Sequence, residues 1–272
     1  MPIGTIVAVL AVASGSLVGM VLGLIGGGGS ILAVPLLIYL VGVPSAHIAI
    51  GTAAIAVALN AAFGLVGHAR LGTVKWPCAV VFAAAGVAGA LLGSAAGKAT
   101  DGADLLALFG LILIAVGLSM LRSPAEDEGT DVRLTSKTAA HLLPRLLGVG
   151  GGVGVLSGFF GIGGGFLIVP GLILATGMPL KNAIGTSLVG ITAFGLATAA
   201  SYTASGLVDW RLALLVIVGG VVGSLIGIRA NLILAQHKRA LTSVFAGVVI
   251  LVGMYIVLSG FTQLMHGPIQ PL

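Results

Sequence analysis

Residues 23–35 read GLIGGGGSILAVP, and residues 158–170 read GFFGIGGGFLIVP. Seven of these thirteen positions are identical at an offset of 135: Gly23/Gly158, Gly26/Gly161, Gly28/Gly163, Gly29/Gly164, Leu32/Leu167, Val34/Val169 and Pro35/Pro170. Each copy sets a glycine cluster ahead of a short apolar run broken by proline. Glycine-interrupted apolar segments at matching places in two halves are the sequence sign of a transporter's central site.

The surrounding composition decides the solvent. Apolar residues make up 58% of the 272-residue chain and charged residues 7%, against about a quarter charged in soluble domains. Mean hydropathy is +1.23. Several apolar stretches reach the ~18–20 residues a helix needs to cross a bilayer, so the chain reads as a multi-span membrane protein. Its 45 glycines let helix backbones approach closely where water no longer drives packing. The basic residues behind the net charge of +5 lie singly or in small groups in the loops, which writes membrane topology and not nucleic-acid binding. Cys78 is the single cysteine, so no intrachain disulfide or cysteine zinc site is expected. The N-terminal MPIGTIVAVL carries no basic n-region and reads as the first membrane segment, not a cleaved signal.

Apolar segments fall at about 3–25, 30–42, 47–67, 77–97 and 104–121, then at about 143–160, 166–177, 183–204, 211–229 and 241–264. The expected organisation is a first membrane repeat over 1–121, a polar cytoplasmic linker over 122–141 and a second repeat over 142–272. Beyond the glycine clusters, Pro44 aligns with Pro179. After a one-residue slip, Gly51-Thr52 aligns with Gly185-Thr186, Trp76 with Trp210, and Gly86, Gly89 and Gly93 with Gly220, Gly223 and Gly227. Segments 30–42 and 166–177 are too short for a ~30 Å hydrocarbon core. Each is expected to return from mid-membrane or to be half of a broken helix. With the N-terminus outside and each short segment forming a hairpin, only Lys98 and Arg211 of the 12 basic residues lie outside. That matches the positive-inside bias and inverts the second half relative to the first. The expected fold is therefore an all-α polytopic bundle of two inverted-topology repeats, each a broken or re-entrant hairpin plus three full spans. Both termini are expected on the periplasmic side of a bacterial inner membrane.

A half-helix start presents unpaired N–H groups and about +0.5 of an elementary charge. Two such starts meeting near the midplane make an anion site without a basic side chain. Ser30 is read as N-cap of a helix beginning near Ile31, with Gly165 in the same place before Phe166. No Lys, Arg, Asp or Glu lies deep in an apolar segment, which removes the usual cation ligand and proton relay. GLIGGGGS at 23–30 has Gly29 where a P-loop needs Lys, and GTSLVG at 185–190 has Val189 where a nucleophile elbow needs Gly. No enzyme, cofactor or metal site is expected. Candidate substrate contacts are Gly26, Gly27, Gly28, Gly29, Ser30, Gly161, Gly163, Gly164, Gly165, Thr52, Asn60, Thr186 and Ser187. Thr192 and Thr198 are further polar positions. For the hydroxyls, bonding to their own helix is the competing reading. For Asn60 it is an interhelical hydrogen bond. His47 and Asn182, just after the two prolines, are candidate gates, with interfacial placement as the bland alternative for His47.

The motifs G-G-G-G-S-x-L-x-V-P and G-I-G-G-G-F-L-x-V-P, each followed by Gly-Thr, resemble the TauE/SafE family of sulfite-exporter-type anion transporters. The resemblance covers about 18–121 and 152–258. It implies a small anionic substrate such as sulfite, sulfoacetate or another organosulfur anion, bound at the two glycine clusters. The expectation is a secondary transporter working by alternating access, surrounded by lipid, with a proton or cation as a coupling partner and a homo-oligomer as a further possibility. An anion channel and a non-transporting membrane scaffold are the alternatives.

Overall fold

A computed structural model describes residues 4–25, 27–122, 138–161, 163–234 and 238–266. Every regular element among them is helical. The first half contains α1 (Thr5–Ile25), a short composite helix α2, then α3 (Ala46–Arg70), α4 (Trp76–Ala99) and α5 (Gly102–Arg122). The second contains α6 (Ala139–Phe160), α7 (Gly165–Thr176), α8 (Leu180–Ala204), α9 (Trp210–Leu234) and α10 (Lys238–His266). Among the described residues, seven helices are long and apolar enough to cross a membrane, α1 and α6 among them. The two short segments stay short: Gly28–Leu40 and Gly165–Thr176, so only the returning arm of each hairpin is truncated. Most of the linker, residues 123–137, lies outside the described residues. The α6 helix starts at Ala139, inside the expected linker, because Ala139 and Ala140 favour helix.

Helix α2 is irregular along its length. Gly27–Leu32 is a 3₁₀-helix, Ala33–Pro35 one α-turn, and Leu36–Leu40 a π-turn closed by Val41 N–H bonding Leu36 O at 3.0 Å. Proline has no N–H and its ring crowds the carbonyl four residues back. At Pro35 the helix tightens before the ring and widens after it. Ser30 consequently sits inside the 3₁₀ turn and not at an N-cap. In the second half the cap is Gly164, one residue earlier than expected, and α7 starts at Gly165.

Glycine contacts give the direction of each neighbour. A Cβ on Gly15 would meet Val216, one on Gly19 would meet Gly220, and one on Gly227 would meet Met20, so α1 and α9 run side by side in one direction. On the other side Gly150 meets Phe82, Gly154 meets Gly86 and Gly93 meets Val155, so α4 and α6 also run together. These are corresponding contacts, residue for residue, under the offsets of 135 and 134 read from the sequence. Between them, α3 and α8 cross in opposite directions: Gly51 lies against Tyr202, Gly195 against Ala58 and Gly64 against Leu188. Thr52 bonds Asp209 and Asn60 abuts Gly220, which sets α3 along α9. Thr186 bonds Lys75 and Phe194 covers Gly86, which sets α8 along α4. Thus α1, α3 and α9 point one way and α4, α6 and α8 the other.

The inside of this bundle is small-residue packing. Ala49, Ala53, Ala54, Ala56, Ala58 and Ala61 are all buried on α3. Large apolar side chains such as Leu92, Leu214 and Leu251 face outward, as a lipid-solvated protein requires. Trp76 and Trp210 are half exposed at the starts of α4 and α9, the places where aromatic rings sit at membrane–water boundaries.

Candidate functional site

The two short helices touch one another. Each also folds straight back along the long helix before it. Gly29 is pressed against Val18 and Leu22 of α1, and Gly164 against Ser157 of α6, while Gly171 further along α7 reaches Val149 and Val153. Gly28, Gly29, Ser30, Gly161, Gly163, Gly164 and Gly165 are all buried. Gly27 opens the 3₁₀ turn, and Gly26 lies outside the described residues.

Depth follows from Gly163. A Cβ there would come within 3.1 Å of Val57 Cγ1 and 3.4 Å of Ile191 Cγ2. Val57 and Ile191 correspond under the repeat, and each is the twelfth residue of a 25-residue helix. The second glycine cluster therefore sits at mid-length of the two central helices. Gly163 and Gly164 have φ of +63° and +67°, a left-handed backbone costing roughly 1–2 kcal/mol with a Cβ present. Two consecutive left-handed residues swing the chain from the end of α6 into α7. Leu167 N–H and Ile168 N–H both bond Gly164 O, at 2.9 and 2.8 Å. The Gly165 and Phe166 amides lie ahead of Leu167 in the first turn of α7, where helical N–H groups have no intrahelical partner.

The other sequence candidates divide. Asn60 is 2% exposed, and neither its amide nitrogen nor its carbonyl oxygen has a hydrogen-bond partner. It covers Gly220, as its counterpart Phe194 covers Gly86. A buried amide without partners is costly, so one half carries an unpaired polar group where the other carries a ring. Ser187 Oγ donates to Ile184 O at 2.7 Å and Thr192 Oγ1 to Leu188 O at 2.7 Å, the self-bonded state. Thr198 Oγ1 is buried without a partner.

Thr52 and Thr186 take a role that neither sequence reading contained. Thr52 Oγ1 accepts from Asp209 N–H at 3.0 Å and Thr186 Oγ1 from Lys75 N–H at 3.0 Å. Each ties the start of a central helix to the residue preceding the neighbouring long helix. Asp209 in turn accepts from Arg211 and Leu212 N–H through Oδ1, capping α9. His47 and Asn182 sit one turn earlier at opposite ends. His47 Nε2–H donates toward the carbonyls of Gly97 and Thr100 at 3.3 and 3.2 Å, and Asn182 Nδ2 donates to Thr73 O at 3.2 Å. Sequence reasoning missed Ser14, Ser157 and Tyr202, whose buried hydroxyls also lack partners. Among the described residues no group of three or more His, Cys, Asp or Glu is placed to hold a metal ion.

The profile of the family described as "Sulfite exporter TauE/SafE" matches residues 11–256. The chain belongs to the TauE/SafE family. A "Probable membrane transporter protein" of Xylella fastidiosa strain 9a5c is 48% identical over 261 residues, covering 94% of this chain and 97% of the relative. The "Probable membrane transporter protein YunE" of Bacillus subtilis is 26% identical over 93% of this chain and 98% of its own length. The "Probable membrane transporter protein MJ0441" of Methanocaldococcus jannaschii is 29% identical over 86% of this chain and 90% of its own length. No solved structure matches the chain.

Proposed function

We propose that this TauE/SafE protein is a secondary transporter that moves a small sulfite-like or organosulfur oxyanion across a bacterial inner membrane by alternating access. The observation that carries the reading is the contact between the two short helices, with Gly28 to Ser30 buried in one and the start of the other at mid-length of the central helices. Donor groups gathered in a dry interior favour an acceptor-rich, negative solute. The opposed directions of α1/α6, α3/α8 and α4/α9 support two inverted repeats. Rocking of one against the other exposes a fixed central site to each side in turn. Gly26 to Ser30 and Gly161 to Gly165 form the proposed anion cradle, with Asn60 as its side-chain contact. His47 and Asn182, each fastening a central-helix start to the loop beside it at opposite ends, are the proposed gates. Thr52, Thr186 and Ser187 contribute by holding those starts in register. Both termini lie on the periplasmic side in this reading, and an ion gradient or the substrate gradient itself drives the cycle.

Uptake of labelled sulfite, sulfoacetate and taurine into proteoliposomes tests it. Saturable accumulation of one of these anions is the expected result. Cation uptake with no anion response would refute the proposal, and currents far above transporter turnover would favour a channel.

A further inference from the structure

The second glycine cluster lacks the serine of the first, since Ser30 is matched by Gly165. A hydroxyl nevertheless arrives there from another element. Ser157, on α6, is fully buried, and its Oγ has no hydrogen-bond partner. A Cβ built on Gly164, the N-cap residue of α7, would lie 2.8 Å from that oxygen. A helical serine ordinarily returns its proton to a carbonyl one turn back, as Ser187 and Thr192 do in α8. Ser157 does not. Its counterpart under the repeat is Leu22, which packs its own side chain against Gly29. The two halves thus carry their hydroxyls in different slots, one within the first cluster and one on the long helix backing the second.

We propose that Ser157 is a specificity-determining residue that donates its Oγ–H to an oxygen of the anion bound at the start of α7. The Gly165 and Phe166 N–H groups lie in the first turn of α7, where helical amides lack an intrahelical partner, and Ser157 adds a buried hydroxyl without a hydrogen-bond partner among the described residues. Converging donors of this kind suit an acceptor-rich group. A sulfite, sulfonate or carboxylate oxygen accepts from all of them and, being charged, forms the stronger hydrogen bonds. The assignment rests on the reading of the glycine clusters as an oxyanion site and adds its side-chain component in the second half.

Ser157→Ala and Ser157→Cys test it in detergent-purified full-length protein, with sodium sulfite and sulfoacetate as probes read by calorimetry and thermal shift. Affinity is expected to fall about tenfold or more in both variants, as for loss of one hydrogen bond to a charged group. Without anion, the Ala variant is expected to melt no lower than the unaltered protein, because an unpaired buried hydroxyl has been removed. Affinity within twofold of the unaltered protein in either folded variant would overturn the assignment and leave the oxyanion site standing. An unaltered, folded protein that binds neither probe would overturn the oxyanion site and this assignment with it.

Discussion

Thr52 Oγ1 accepts a 3.0 Å hydrogen bond from the backbone N–H of Asp209, 157 residues further along the chain. The corresponding bond, Thr186 to Lys75, spans 111 residues in the other direction. Each joins one half of the chain to the other at opposite ends of the crossed α3–α8 pair. Thr52→Val and Thr186→Val keep the side-chain shape but strand a backbone donor. Each is expected to cost about 1–2 kcal/mol, and Thr→Ser at either site is expected to recover most of it. Thermal unfolding in detergent reads both. Equal melting of Val and Ser variants would show that the hydroxyl contributes nothing.

Two glycines of α6 separate packing from conformation. A Cβ on Gly151 meets nothing within 4 Å, whereas one on Gly154 runs into the Gly86 backbone. Gly151→Ala is expected to be neutral or to stabilise by up to about 1 kcal/mol. Gly154→Ala is expected to cost about 1–3 kcal/mol through overpacking, with Gly19→Ala its mirror case against Gly220. Denaturation of the four proteins side by side checks the ranking.

The glycine cluster itself makes a sharper contrast with the other end of α7. Gly177 has φ +70° and open space, while Gly164 has φ +67° and Ser157 in the way. Gly177→Ala is expected to lose roughly 1–2 kcal/mol from left-handed strain alone, with anion-induced stabilisation intact. Gly164→Ala is expected to lose more and to abolish that stabilisation. A ligand-dependent melting shift preserved in folded Gly164→Ala would remove α7's start from the site.

Asn60 offers a stability gain coupled to a functional loss. Asn60→Leu removes two unpaired buried polar atoms and is expected to raise the melting point of the empty protein by the equivalent of about 1 kcal/mol. Anion affinity is expected to drop tenfold or more. A lower melting point with unchanged affinity would identify Asn60 as a packing amide.

The helical segments were legible because lipid-facing spans announce themselves by length and composition, and the doubled motif located both short helices. What escaped has particular causes. The 3₁₀-to-π course of α2 depends on how Pro35 perturbs its neighbours and leaves no periodicity to read. Thr52 and Thr186 were weighed between their own helix and a ligand, yet their partners are loop amides that only tertiary packing brings near. Ser157 was hidden by the repeat, since comparing halves sets it beside Leu22 and draws attention to Ser30 and Gly165. Symmetry in the sequence pointed to the proposed site and concealed the asymmetry of its side chains.

Selenite carries the shape and charge of sulfite together with an anomalous scatterer. A crystal structure of the protein with selenite, phased at the selenium edge, tests directly whether the two glycine-led starts hold an oxyanion. The account predicts one strong peak in the buried interior, within hydrogen-bonding reach of the Gly165 and Phe166 amides. Peaks confined to the water-facing ends of the helices would contradict it.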